Sequence, residues 1–349
     1  MKKGFVLLVA MLSGIATLCA QTSVNPVQED EIRPDGITYK LPLTTLVIEA
    51  EVVQVIEKPG PFYKYAERFL GTTDFIVEAK NEWQLKGVKA FYRTEPDRTK
   101  CYHIAINKKT TASNIELDGR GVIRAINQVT YAKSDRPKNC PQTVVDTIIR
   151  FDLAQLGEEA LVSSSIPKMA EIAAKQIYHI RESRTNLLSG DNDHLPDGVS
   201  LTLMLQKLDE AEAELMALFI GKRISVPVSR KFYVTPTEAL TNHIVFRMSA
   251  VAGIVESDNL LGRPIYLSVK PHMVTAPAPT ANAKKMCGPY YNVPGSAEVV
   301  VADGTTILAQ KTFTMPQFGT VACLPAVMFD GVYTKVEFTD FGTIKSISK

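Results

Sequence analysis

Apolar positions along this chain follow three rhythms. Residues 4–18 form an uncharged apolar core behind Lys2 and Lys3, with the small residue Ala20 before Gln21, the layout of a cleavable export signal. From residue 44 to 160 apolar and polar positions alternate, between 165 and 221 they recur at helical spacing, and beyond 222 they alternate again. The pattern predicts an α+β chain: two antiparallel β-rich parts, sandwich-like, separated by an antiparallel α-helical hairpin. The expected divisions are a signal peptide over 1–20, an extended leader over 21–43, an N-terminal β-rich domain over 44–160, the helical hairpin over 161–222 and a C-terminal β-rich domain over 223–349.

Within these divisions the punctuation is legible. TTLVIEAEVVQVIEK, 44–58, is dense in β-branched residues and reads as a long strand. GPFYKYAERFLG offers Pro61 for a first helical turn, Phe62, Tyr65, Ala66 and Phe69 at helical spacing, and Gly71 as a stop. One long helix is expected from Ser165 to Gly190, with Met169, Ala173, Ile177, Ile180 and Leu187 on one stripe. A second runs from Asp197 or Ser200 to Gly221, with Leu201, Met204, Leu208, Ala211, Leu215 and Leu218. Arg184 and Glu212 fall on these stripes, so either Arg181 or Arg184 pairs with Glu212 or Asp209, or the long side chains snorkel at the edge of the contact.

Two segments of the β-rich parts echo each other. IELDGRGVIRAIN, 115–127, aligns without gaps on VEFTDFGTIKSIS, 336–348, matching Glu116 with Glu337, Gly121 with Gly342, Ile123 with Ile344, Arg124 with Lys345 and Ile126 with Ile347. Both read as hairpins around a turn glycine, from a duplication or from the commonness of such turns.

Loss of residues 1–20 would leave 329 residues with 37 basic and 37 acidic side chains, a formal charge of zero. Nucleic acid is not an expected partner, because neutralising phosphates requires a basic face. No later segment is apolar for the roughly 20 residues that a membrane-spanning helix needs, and Leu18 before Cys19 is a poor context for a lipid anchor. The remaining cysteines, Cys101, Cys140, Cys287 and Cys323, are even in number, and in an oxidising compartment they suggest two disulfides. Of the three connectivities, Cys101 to Cys140 with Cys287 to Cys323 closes the shortest loops; the competing reading is four buried thiols.

Candidate chemistry is sparse. The helix-joining segment SGDNDHLPDG gathers Asp191, Asp193, His194 and Asp197, enough oxygen to consider calcium, but Leu195 and Pro196 break the EF-hand spacing, and a turn capping the second helix is the better reading. The histidines His103, His179, His194, His243 and His272 stand singly, without zinc-ligand spacing. No cofactor motif is present, yet a glycosidase can gather its carboxylates from distant strands without a local trace. In KKMCGPYYNVPG, Tyr290 and Tyr291 sit beside a cysteine in a Gly/Pro-bounded loop, where rings could stack on sugars or anchor a protein, or else face the core.

AAKQIYHIRESRTNLLSGDNDHLPDG through LDEAEAELMALFIGK, supported by EKPGPFYKYAERFLG, resembles an uncharacterised family of exported proteins from gut Bacteroidales, a domain of unknown function. The resemblance implies export to the periplasm or cell surface and a shared fold, and it supplies no catalytic residues. The expected function is that of an exported, non-catalytic cell-envelope protein binding a protein or glycan partner. The alternative is a hydrolase of an envelope or dietary polymer, and a third possibility is a structural subunit offering an unpaired edge strand.

Overall fold

The structure is a computed structural model that describes residues 24–28, 35–105, 112, 114–129, 148–163, 165–189, 198–274, 287–329 and 333–349. Strand β1 (Val24–Val27) and the very long β2 (Gly36–Lys58) are followed by the short helix α1 (Ala66–Leu70), the equally long β3 (Lys80–Ala105), and the small pair β4 (Ile115–Leu117) and β5 (Ile123–Ile126). Helices α2 (Gly157–Val162), α3 (Ile166–Ser189) and α4 (Gly198–Ile220) come next. Eight strands follow: β6 (Lys222–Val234), β7 (Leu240–Ser249), β8 (Gly253–Val255), β9 (Arg263–His272), β10 (Cys287–Asp303), β11 (Thr306–Pro325), β12 (Lys335–Phe338) and β13 (Ile344–Ser348). The α+β class and the antiparallel, β-rich parts are as the alternation predicts. Residues 24–27 and 36–43 of the expected leader are extended, and they are paired in a sheet.

The first sheet has strand order β1-β3-β2-β6, the second β11-β10-β9-β7-β8 and the third β13-β12-β5-β4. Strands from both sides of the helical hairpin thus pair with one another: β2 with β6, and β5 with β12. The first and second sheets face each other over a core of Leu46, Ile48 and Ala50 against Ala297, Val299 and Val301, all fully buried. A second core, with Tyr39, Leu41, Ile104, Ile123, Phe329 and Val336, joins the near ends of the long hairpins to the third sheet.

A third core belongs to the helices: Phe62, Leu156, Ala173, Ile177, Leu215 and Phe219. The proximal halves of α3 and α4 supply its buried positions, whereas Met204, on the expected stripe of α4, is 47% exposed. The stripe stays buried only where Phe62 and Leu156 can cover it. Farther out, Arg181 binds Glu212 at 2.7 Å, and Arg184 reaches both Glu212, also at 2.7 Å, and Asp209. Burial raises the pKa of the Glu212 carboxyl, but hydrogen bonds from the two guanidinium groups outweigh it and hold the group below its ordinary value. The carbonyls that α4 leaves open at its C-terminus are met by backbone N–H groups of Phe62, Ile76 and Gly221, which bind Leu218, Ile220 and Ala217. Gly60 passes so close that a Cβ there would lie 2.2 Å from the Leu218 oxygen. Among the described residues no helix is long and apolar enough to cross a membrane.

The hairpin echo is geometric and larger than the sequence suggests. Adding 221 to each number turns the β4–β5 ladder (Ile115↔Ile126, Glu116↔Ala125, Leu117↔Ile123) into the β12–β13 ladder (Val336↔Ile347, Glu337↔Ser346, Phe338↔Ile344), irregularity included. Gly121 and Gly342 both have positive φ, 82° and 71°. Both carbonyls accept a backbone N–H from a long strand, Lys40 at 2.8 Å and Asn292 at 2.9 Å.

Those donors extend the repeat into the long hairpins. GITYKLP (36–42) corresponds to GPYYNVP (288–294). The pairs Thr38↔His103, Lys40↔Cys101, Leu43↔Glu95 and Thr44↔Thr94 correspond to Tyr290↔Cys323, Asn292↔Val321, Gly295↔Met315 and Ser296↔Thr314. Both ladders break beside a proline, which lacks the N–H a regular ladder needs: the first resumes at Pro42, opposite Pro96, and the second skips Pro294. One unit is therefore a long hairpin plus a small hairpin, and the described residues contain two.

Candidate functional site on the open face of the first sheet

Because the strands alternate, the residues between the core positions of β2 line the opposite, open face: Thr45, Val47, Glu49, Glu51, Val53, Val55 and Glu57. Val47 lies between Phe91 of β3 and Tyr233 of β6 in the ladder. The two rings are 44% and 58% exposed, while Val47 beneath them is 8% exposed. They stand two strand spacings apart, about 10 Å. One step along, Glu49 lies between Lys89 and Lys231; Lys231 approaches it at 3.7 Å, and Lys89 binds Glu51. The hydrogen bond to Glu51, with its charge, raises the pKa of the Lys89 ammonium. The face ends in a shallow groove beside the helices, lined by Glu57, Glu82, Lys80 and Arg223, with Arg223 on Glu57 at 2.5 Å.

The arrangement offers flat apolar rings on a polar surface whose charges are largely compensated. Such a surface can bind an extended partner by stacking and hydrogen bonding without favouring either sign of charge. Sequence inspection missed Phe91 and Tyr233. Their signal was present in the alternation of WQLKGVKAFYR and RISVPVSRKFYV, which puts each ring on the face shared with lysines and arginines.

The residues singled out from sequence are dispersed. Tyr290 and Tyr291 belong to strand β10 rather than a loop, because their segment pairs with β11 and continues the ladder to the disulfide. Both are half-buried against the second core. Tyr290 stacks on Tyr102 at 4.4 Å, its N–H donates to the Tyr39 hydroxyl at 2.6 Å, and that hydroxyl donates to the Tyr290 carbonyl at 3.2 Å. Burial pushes the Tyr102 phenol up to about 12 and the fully buried Tyr39 phenol well above its ordinary value. Cys287 and Cys323 form the expected disulfide. Cys101 is buried in β3, while Cys140, Asp191, Asp193, His194 and Asp197 lie outside the described residues, as does the expected signal segment. Among the described residues no group of three or more His, Cys, Asp or Glu side chains is placed to hold a metal ion.

His103 is buried at 1% exposure. Its Nδ1 lies 3.1 Å from the Thr38 hydroxyl and its Nε2 lies 3.2 Å from the carboxylate of Asp35. In the repeat, Asp35 and His103 correspond to Cys287 and Cys323.

The fold and this surface define an α+β protein with a two-sheet β-sandwich and a helical appendage. Residues 35–344 match DUF4831, a domain of unknown function, and the chain belongs to that family. No curated protein and no solved structure matches it.

Proposed function

We propose that this is an exported, non-catalytic cell-envelope protein that binds a partner, protein or glycan, along the open face of the first sheet. The observation that carries the reading is the pair of exposed rings, Phe91 and Tyr233, standing on either side of Val47 above a ladder of compensated charges. Export is supported by the apolar run behind Lys2 and Lys3 and by the Cys287–Cys323 bridge, a type of bond that persists in oxidising compartments. Replacing both rings, F91A with Y233A, should leave the melting temperature within about 2 °C, since exposed substitutions act weakly on stability. Binding to envelope extracts and glycan arrays should fall at least tenfold; unchanged binding would remove this face from the function. Export predicts that the protein isolated from its native cells begins at Gln21.

The hydrolase alternative has one observation of its own. Glu57 and Glu82 line the same groove as diagonal neighbours across the β2–β3 ladder, with backbone positions about 7 to 8 Å apart, and glycosidases work with two carboxyl groups brought onto one groove in this way. Release of reducing ends from a bound polymer, abolished by E82Q, would decide for that reading.

A further inference from the structure

The two repeated units are not related by a two-fold axis between the sheets, which would put equivalent side chains inside together. Leu46, Ile48 and Ala50 face the sandwich core, but their equivalents Glu298, Val300 and Ala302 alternate away from it. The buried Ala297, Val299 and Val301 instead match Thr45, Val47 and Glu49 of the open face. These faces fit a translation through the sandwich. The third sheet shows the same step, since its order places β4, β5, β12 and β13 as two hairpins in succession. Two strand spacings are roughly 9.6 Å and facing sheets lie roughly 10 Å apart, so the two steps have the same length.

A translation does not close on itself, and applied once more it places a second molecule. We infer that the partner on the open face of the first sheet is the outer face of the second sheet of another copy, in a head-to-tail array. This rests on the reading that the open face binds.

Charge and register support the contact. Tyr92 touches Phe313 at 5.9 Å across the existing sandwich. The same step brings Thr312, with Glu298 beside it in the ladder, against Arg93 of the next copy, so that Glu298, which accepts from Gln310, shares the guanidinium that stands 3.3 Å from Glu95 of its own strand. Val300 and Ala302 then lie toward the apolar strip marked by Val47 and Phe91. In the third sheet, β5 pairs with β12 through Ile126↔Val336 and Ala125↔Glu337. Repeating that step pairs β13 with β4 of the next copy, Ile347 against Ile115 and Ser346 against Glu116. Ile347 is 45% exposed on this outermost strand.

The test uses two single-cysteine additions to the full chain, S346C and E116C, each checked for an unchanged melting temperature. Oxidation of an equimolar mixture should give the cross-linked S346C·E116C pair, while neither variant alone should give dimers. Sedimentation of the unmodified protein should show a concentration-dependent series beyond dimer, suppressed at least tenfold in R93E. A mixture that does not cross-link, S346C dimers formed alone, or a strict monomer at high concentration would each overturn the array. If the array fails while ring-dependent binding to a glycan or to another protein persists, the binding face stands with a different occupant. If both fail, the face itself is refuted.

Discussion

Where β10 and β11 are tied by the bond between Cys287 and Cys323, the corresponding positions of the first unit carry Asp35 and His103, held by a 3.2 Å contact. The neighbourhoods differ too. Beside His103 the end of β3 is covered by β1, through Asn25↔His103 and Val24↔Ile104, whereas β11 is the outermost strand of its sheet, with no described strand beyond it. A flanking strand in the first unit and a covalent bridge in the second thus stand at the same end of their long hairpins. Each supplies restraint at the end of a long hairpin, the first through ladder hydrogen bonds and burial, the second by reducing the freedom of the unfolded chain.

Removing the bridge should have the largest effect. Replacing both Cys287 and Cys323 by serine opens a loop closed over 36 positions, and loop-closure entropy puts the loss at about 4 kcal/mol. The loss should be visible in denaturant unfolding and concentrated, by hydrogen exchange, in β10 and β11. A loss below about 1 kcal/mol would mean that the ladder alone holds the second unit.

The converse experiment transplants the restraint. Asp35→Cys with His103→Cys should oxidise to a bridge, read as a mass loss of two hydrogens without reaction with alkylating agents. It should add roughly 2 to 4 kcal/mol, less whatever the Asp35–His103 contact contributed. If the pair stays reduced under oxidising conditions, the equivalence of the two hairpins stops short of their ends.

The turn glycines separate the units more finely. Both have positive φ, which costs an alanine about 1 to 2 kcal/mol. A Cβ on Gly121 would meet nothing within 4 Å, but one on Gly342 would lie 2.7 Å from Cδ of Pro42, a ring atom that cannot swing aside. Gly121→Ala should therefore cost about 1 kcal/mol and Gly342→Ala roughly 2 to 4, the excess being steric. Equal losses in chemical denaturation would show that backbone conformation, and not the approach of Pro42, dominates.

The small hairpins were legible in sequence because their turn glycines and alternating residues lie within 13 positions. The long hairpins were not, since their likeness survives mainly in GITYKLP and GPYYNVP, and the intervening helices and strands β6 to β9 separate the copies. The end of the second long helix was readable from Gly221, and the Arg181, Arg184, Asp209 and Glu212 cluster from helical spacing. Tyr290 and Tyr291 looked like loop residues because Gly288, Pro289 and Pro294 punctuate the segment. Pairing with Cys323 and Ala322, far along the chain in β11, overrides that local signal. The open face was hidden for another reason: Phe91 and Tyr233 come together only through β2, which neither sequence segment contains.

The smallest effect distinguishes the two small turns by acid. In the first, Asp118 accepts backbone N–H groups of Arg120 at 2.8 Å and Val122 at 3.0 Å; in the second, the Thr339 hydroxyl accepts those of Phe341 and Thr343, both at 3.3 Å. Burial raises the pKa of the Asp118 carboxyl, but these two N–H groups and the Arg120 guanidinium more than compensate and leave it below its ordinary 3.8. A depressed carboxyl stabilises the folded form above its unfolded pKa and loses that contribution as pH falls through the folded value. The turn at Gly121 should therefore loosen only below about pH 3.8, while the Thr339 hydroxyl does not titrate there and the turn at Gly342 should be insensitive. Amide exchange at Gly121 and Gly342, followed from about pH 6 to about pH 2 and corrected for intrinsic rates, reads the difference. Asp118→Asn should flatten the Gly121 profile, because an amide can still accept a hydrogen bond but carries no titrating charge. Parallel profiles at the two glycines would show that acid acts on the third sheet as a whole rather than on the carboxylate of one turn.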